Sequence, residues 1–352
     1  MALKFYTKFL FAFFLFVGFS EANGQETIDV GKTGWDVKRP VVAGACEAGC
    51  PWGELADFVQ QAMEPMGYSV VICRNCNRMN GPRLVSENSY PPPLDEANLE
   101  DGTIYRINAK VDFGITSSAF LANAYKESFF GGGPYKNLRL IAKVEDPFYF
   151  LIATKKESGI ESLEQVRDQG LPVRIFDTDG SMATILDYYG ITSEEIEGWG
   201  GKRRVSYDEA MKDEFDIIAG FLATPSNNIE SSYWTALSEK FDLYFMELPE
   251  DLLNKIAEQN IDSEHIVAQN GLLRGLDRRI KTLGRSGEAF FAREDTPEQA
   301  AYDIAKAIDK NRGALKWFIR IYSYDSNTVL SNFGVPLHPG AERYYREVGY
   351  IK

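Results

Sequence analysis

The chain has 352 residues, 44% of them hydrophobic and 13% aromatic, which is enough apolar material for a large core and more length than one ordinary domain uses. Its 51 acidic residues outnumber 38 basic ones, giving a formal net charge of −13. A surface of that sign repels nucleic acid and anionic lipid, so neither is expected as a partner.

Residues 1–24 have the layout of a secretory signal peptide. Lys4 and Lys8 supply the positive start, Phe9 to Phe19 the apolar stretch, and Ser20-Glu21-Ala22 or Ala22-Asn23-Gly24 the cleavage site. An apolar run of eleven residues falls short of the ~20 that a spanning helix needs, so direct membrane insertion is not expected. No Cys follows the apolar stretch to take a lipid, and the expected product is a soluble protein of the periplasm.

After this leader, short β-rich runs alternate with amphipathic helices, the pattern of α/β layers around a mostly parallel sheet. Val41–Ala45 predicts a strand, and Pro51–Met66 a helix with Leu55, Phe58, Val59, Ala62, Met63 and Met66 at helical spacing. Tyr68–Cys73 and Val111–Thr116 predict strands, Met79–Pro82 a loop, Ser89–Pro93 a surface insertion and Ser117–Lys126 a helix. Leu138–Lys143 starts a passage toward a second lobe, and Phe148–Ala153 is apolar and extended. Strands are then expected at Val173–Phe176, Arg204–Tyr207, Asp216–Phe221 and Leu243–Leu248. Helices are expected at Leu163–Asp168, Ser181–Tyr189, Asp208–Lys212 and Ser226–Ser238. Glu288–Ala292 reads as a return crossing, and Thr296–Lys310 as a helix with Pro297 at its first position. A chain that leaves one lobe and returns makes two hinge strands. The expected division is 36–147 for the first part of lobe 1, 148–287 for lobe 2 and 288–352 for the return to lobe 1.

The chain closes on Pro336-Leu337-His338-Pro339-Gly340-Ala341-Glu342-Arg343-Tyr344-Tyr345-Arg346-Glu347-Val348-Gly349-Tyr350. On physical grounds this is a short helix opened by Pro339, stopped at Gly349 and docked by its tyrosines, with His338 in a structural role. The stretch resembles the terminal signature of the TRAP-associated extracytoplasmic immunogenic (TAXI) solute-binding proteins. Val111-Asp112-Phe113-Gly114-Ile115-Thr116-Ser117-Ser118-Ala119, Asp179-Gly180-Ser181-Met182-Ala183-Thr184-Ile185-Leu186 and Gly220 to Pro225 are similar to further segments of that family. The resemblance implies a type II periplasmic-binding-protein-like fold, two α/β lobes joined by two hinge strands. It also implies a small polar solute held in the cleft, an amino acid or organic acid such as the family's small acids, and a TRAP-type integral membrane permease as partner.

Ligands in open α/β sheets sit outside the carboxyl ends of strands, where turns enter helix N-termini. Five turns compete for that role: Gly44–Trp52, Cys73–Arg78, Thr116–Ser118, Asp177–Thr184 and Phe221–Asn228. At the first two the chain departs from the family pattern, with cysteines where a Gly-Gly-Thr-Tyr-Tyr or Gly-Ser stretch is usual. The candidate ligand-binding residues are Cys46, Trp52, Arg74, Asn75, Asn77, Arg78, Ser117, Ser118, Asp177, Thr178, Ser181, Met182, Thr184, Phe221 and Thr224. Arg74 or Arg78 offers a planar fork of donors to a carboxylate, the serines and threonines offer hydroxyls, and Asp177 and Asp179 suit an ammonium group. Each has a plainer use: a solvated arginine, a helix cap at Ser181, loop-turning aspartates, or core packing of Trp52. Asp177, Asp179 and Gly180 lack the closing Glu of a calcium loop, so no metal is assigned, and no cofactor is expected.

Cys46 and Cys50 follow the first strand, and Cys73 and Cys76 the second. In an exported chain these are expected to form disulfides, with three pairings open. A four-thiolate zinc site and a redox-active Cys73-Arg74-Asn75-Cys76 are the alternatives, the latter making the chain a thiol oxidoreductase. A ligand sensor without transport is a further alternative. There is no Gly-x-Ser-x-Gly elbow, no phosphate loop, and neither His338 nor His265 lies in a metal motif, so no enzyme activity is expected.

Overall fold

The computed structural model describes residues 26–45, 50–74, 76, 79–91, 105–127, 132–178, 180, 182–223, 232–259, 263–318, 322–331 and 333–352. Residues 1–24, expected to be a signal peptide, Cys46, Asn75, Asn77, Arg78, Asp179, Ser181, Thr224 and the start of the helix expected at Ser226 lie outside the described residues.

A small parallel pair, β1 (Glu26–Ile28) with β4 (Tyr105–Ile107), stands apart from the main sheet. In lobe 1, β2 (Val41–Ala43) lies between β3 (Val71–Ile72) and β5 (Phe113–Ser117), and all three are parallel. Two long strands follow in the sheet order, β6 (Leu138–Lys155) and β11 (Ile280–Arg293), paired antiparallel. In lobe 2, β8 (Ile217–Ala223) runs antiparallel to β6 and parallel to β7 (Ile175–Asp177). There β9 (Leu243–Phe245) pairs with the end of β6, and β10 (Glu264–Ala268) with the start of β11.

Helices cover both faces of each half. In lobe 1 these are α1 (Pro51–Met63), α2 (Gly81–Ser86), α3 (Ser118–Lys126), α10 (Glu298–Asn311) and α11 (Pro339–Glu347). In lobe 2 they are α4 (Leu163–Gln169), α5 (Met182–Tyr188), α6 (Ser193–Gly198), α7 (Tyr207–Met211), α8 (Ser232–Lys240) and α9 (Glu250–Gln259). One lobe-1 core joins Val42, Phe113, Ile115 and Phe290 to the apolar stripes of α1 and α10, and a second joins Val41, Leu140 and Phe291 to α2 and α3. Lobe 2 repeats the plan, with Ile152, Ile175 and Ile217 facing α4, α5 and α9, and Leu151, Ile218 and Phe245 facing α7 and α8. This is the two-lobed α/β architecture, with β6 and β11 as the two strands common to both lobes. Among the described residues no helix is long and apolar enough to cross a membrane.

Several local expectations change. The sheet is mixed rather than mostly parallel, because both crossing strands pair antiparallel with their neighbours. The two apolar runs at Leu138 and Phe148 are one strand. Arg204–Tyr207 is not a strand, because Ser206 and Glu209 form a capping box that opens α7. Lys202 and the Ser206 backbone hold the Glu209 carboxyl down at about 2. The loop expected at Met79–Pro82 ends at Asn80, since Pro82 suits the first turn of α2.

Candidate functional site

Strand directions decide where the turns meet. β5 and β6 run in the same sense, since both are antiparallel to β11, so β2, β3 and β5 point their carboxyl ends toward lobe 2. β7 and β8 run against β6 and point theirs toward lobe 1. The register measures the gap: Ser117 at the end of β5 is level, through Glu288, with Val144, while Ala223 at the end of β8 pairs with Phe148. Four residues of β6, roughly 13 Å at strand rise, separate the two sets of strand ends. The described strand ends that lead into the five turns therefore converge on one junction, floored by β6 and β11.

Two glycines shape it. Gly44 takes φ +91° as β2 ends, and a Cβ there would lie 1.8 Å from the Ile115 carbonyl oxygen. Gly287, at φ +151° beside an irregularity in β11, would meet the Val144 oxygen at 2.0 Å. Only glycine lets the backbones approach this closely.

The floor carries buried charge. Asp146 and Glu288 are both 0% exposed, and Arg285 between them is 5% exposed. Arg285 Nη2 is 3.2 Å from Asp146 Oδ2 and its Nε 3.7 Å from Glu288 Oε1. The guanidinium also lies 5.0 Å from the centre of the Phe148 ring, which stacks at 4.6 Å on Phe221. Burial pushes the Lys143 ammonium pKa down, opposed by the carboxylates of Glu145, Glu264 and Asp325.

At the lobe-1 rim, Trp52 is half-buried in the first turn of α1. Arg74 Nη2 is 2.5 Å from Asp57 Oδ1. Ser117 caps α3, accepting from the Phe120 N–H at 3.2 Å, and the buried Ser118 donates to Glu264 Oε1 at 2.8 Å. At the lobe-2 rim, Asp177 accepts from the Gly180 N–H at 2.9 Å and faces Arg203 at 3.3 Å. The Thr178 hydroxyl is buried without a hydrogen-bond partner among the described residues. Thr184 is half-buried on α5, and Met182 turns into the lobe-2 core. A separate groove of about 770 Å³ runs beside β10, lined by Leu248, Leu253, His265, Ile266 and Lys281; no described residue of the five turns lines it.

Cys73 and Cys76 form a disulfide with Cα atoms 5.3 Å apart, and Cys50 is disulfide-bonded as well. β2 and β3 are neighbours, which places these cysteines on the edge that faces lobe 2. Cys73 and Cys76 are 0% and 1% exposed, so the bridge is shielded from a redox partner.

The NMT1-like family profile matches residues 104–349, well over half of the chain. The chain belongs to the NMT1-like family. Among solved structures, this NMT1-like chain is similar to a TctC solute-binding protein from Polaromonas (12% identity, 89% of this chain and 99% of the other covered, TM-score 0.40). It is also similar to PhnD1 from Prochlorococcus marinus with methylphosphonate (12% identity, 89% and 99% covered, TM-score 0.33). A third likeness is to an R. palustris protein with adipate (13% identity, 88% and 95% covered, TM-score 0.34).

The NMT1-like chain also shows junction residues that the sequence did not single out: Lys143, Asp146, Phe148, Glu264, Arg285, Ser286 and Glu288. They lie inside strands, where a charged residue in an apolar run was the available signal. Gly284-Arg285-Ser286-Gly287-Glu288 carries that signal in the middle of β11.

Proposed function

We propose that the chain is an extracytoplasmic solute-binding receptor of the TAXI type. It takes a small polar solute, an amino acid or organic acid, between its lobes and delivers it to a TRAP-type membrane permease. The observation that carries this reading is the convergence of strand ends from both lobes on one junction crossed by β6 and β11. A solute held there touches both halves at once, so closure about the crossing strands favours the bound state. Lobe limits at 147–148 and 287–288 would put this junction between the halves, and Thr178 supplies a hydroxyl in need of a partner from lobe 2.

The first test is a thermal-unfolding screen of the oxidised mature chain against amino acids, dicarboxylates, other organic acids and sugars. A ligand present at about 100 times its dissociation constant adds about 2.7 kcal/mol. For a hit, Thr178→Val should weaken binding without lowering the unliganded midpoint. No hit in any class, with no solute retained by the purified protein, would count against the receptor reading. The buried state of Cys73 and Cys76 already disfavours the oxidoreductase alternative.

A further inference from the structure

One hydrogen-bonded cluster spans the lobes. Ser118 opens α3 in lobe 1 and is 0% exposed, and Glu264 opens β10 in lobe 2. The Ser118 hydroxyl donates to Glu264 Oε1 at 2.8 Å, and the backbone N–H of Ser286, on the crossing strand β11, donates to the same oxygen at 2.8 Å. Ser286 Oγ donates to Ser118 Oγ at 3.2 Å, which orients the first donor. Lys143, 3% exposed on the lobe-1 half of β6, feels the Glu264 charge. A hydroxyl and a backbone N–H converging on one oxygen are donors of the kind that hold a carboxylate. Here lobe 1 and the crossing strand supply the donors, and lobe 2 supplies the carboxylate.

We infer that Glu264 is an interlobe latch: its carboxylate fills a carboxylate-binding subsite made by the Ser118 hydroxyl and the Ser286 N–H, and so holds the lobes together. Vacating the subsite frees the lobes to separate. A solute carboxylate taking the same donors would replace Glu264 as the group that bridges the lobes. That last step rests on the receptor reading; the latch itself does not.

The test uses the full mature chain without solute. Spin labels on bio-orthogonal residues replacing the exposed Gln61 of α1 and Glu239 of α8 report the interlobe distance and leave the disulfides untouched. In Glu264→Ala the distance distribution should move to longer values and broaden, and in Glu264→Gln it should lie between that and the parent. Sodium acetate, set against sodium chloride at equal ionic strength, should raise the unfolding midpoint of Glu264→Ala saturably. It should do so neither in the parent nor in Glu264→Ala/Ser118→Ala. If Glu264→Ala does not fold, Glu264→Gln and Ser118→Ala carry the distance measurement. Distances that superimpose on the parent overturn the latch. Separated lobes with no acetate effect, or with an equal effect in the parent, overturn the subsite. A solute screen without hits would leave both measurements standing, so failure of the receptor reading is distinguishable from failure of the latch.

Discussion

Two buried carboxylates, Asp309 behind the C-terminal signature and Asp146 at the lobe junction, are held in different ways. Asp309, 1% exposed, accepts from the hydroxyls of Tyr344 and Tyr350 and from Arg312 at the edge of the cluster. Those donors sit on or beside α10 and α11, which pack together on a single lobe. Asp146, 0% exposed, meets Arg285 across the two strands that join the lobes, at a longer 3.2 Å. Both carboxylates are hydrogen-bonded, but the donors to Asp309 tie neighbouring helices of one lobe, whereas Arg285 ties together the two strands that cross between the lobes. The ending that resembles the TAXI signature thus acts as structural cement within one lobe.

The strongest way to break this comparison is to remove the junction cation. Arg285→Met leaves Asp146 and Glu288 as buried acids without their guanidinium and should cost about 3–5 kcal/mol, read by urea unfolding. A cost below about 1 kcal/mol would show that water already reaches the cluster. Asp309→Ala should cost less, about 2–3 kcal/mol, since Arg312 is half exposed and Tyr350 partly so and both can turn to water. Its solute affinity should match the parent's, and a selective loss of binding would refute the purely structural role given to the signature.

The difference between the two regions also explains what could be seen in advance. Tyr344, Tyr345 and Val348 at helical spacing pointed to a docked helix, and Tyr344 and Tyr345 are 1% and 0% exposed. Their acceptors, Asp309 and the Ile141 carbonyl, are 35 and 204 residues away in sequence, and no local pattern names such partners. The five turns were legible because parallel strands must end in them. The crossing was legible only as two apolar runs at Leu138 and Phe148, since Glu145-Asp146-Pro147 between them looks like a break. Arg285 pairs the buried Asp146, while Thr328 and the Ser323 backbone hold Glu145, so the strand continues through the triplet. Arg204–Tyr207 shows the converse, a β-looking run overruled by a local capping box. In the family-like segment at Val111, Asp112 accepts from the Val41 N–H at 2.8 Å and ties β5 to β2; burial raises its carboxyl pKa.

A smaller effect separates the regions by pH. His338, 0% exposed, caps α11 by accepting the Gly340 N–H on Nδ1 at 3.2 Å, and burial pushes its imidazole pKa down. With the folded value below the unfolded value of about 6.5, the unfolded chain binds the proton more readily. The stability this residue gives is complete above the unfolded value and is lost as pH falls toward and through the folded one. Between pH 7 and pH 5 the parent should therefore lose stability that His338→Asn, which keeps a capping oxygen, does not. Parallel pH profiles for the two proteins would contradict the neutral, buried cap.

The smallest effect expected on stability discriminates most about the solute. Arg74 and Asp57 are each about one-third exposed, at 33% and 34%, so breaking their 2.5 Å pair with Arg74→Ala should change folding by only about 0.2–1 kcal/mol, less in high salt. Its place at the end of β3 makes it a rim group, and in the receptor reading Asp57 competes with a solute carboxylate for one guanidinium. Arg74→Ala should then weaken an anionic solute by roughly 10- to 100-fold, the worth of a charge-assisted hydrogen bond. Asp57→Asn should do the reverse, releasing Arg74 and tightening the same solute while leaving a neutral one unchanged. Titrating the two variants against one acidic and one uncharged hit reads this directly. If both variants bind both solutes as the parent does, Arg74 is a surface ion pair and the solute is held by the lobe-2 rim and the strand floor instead.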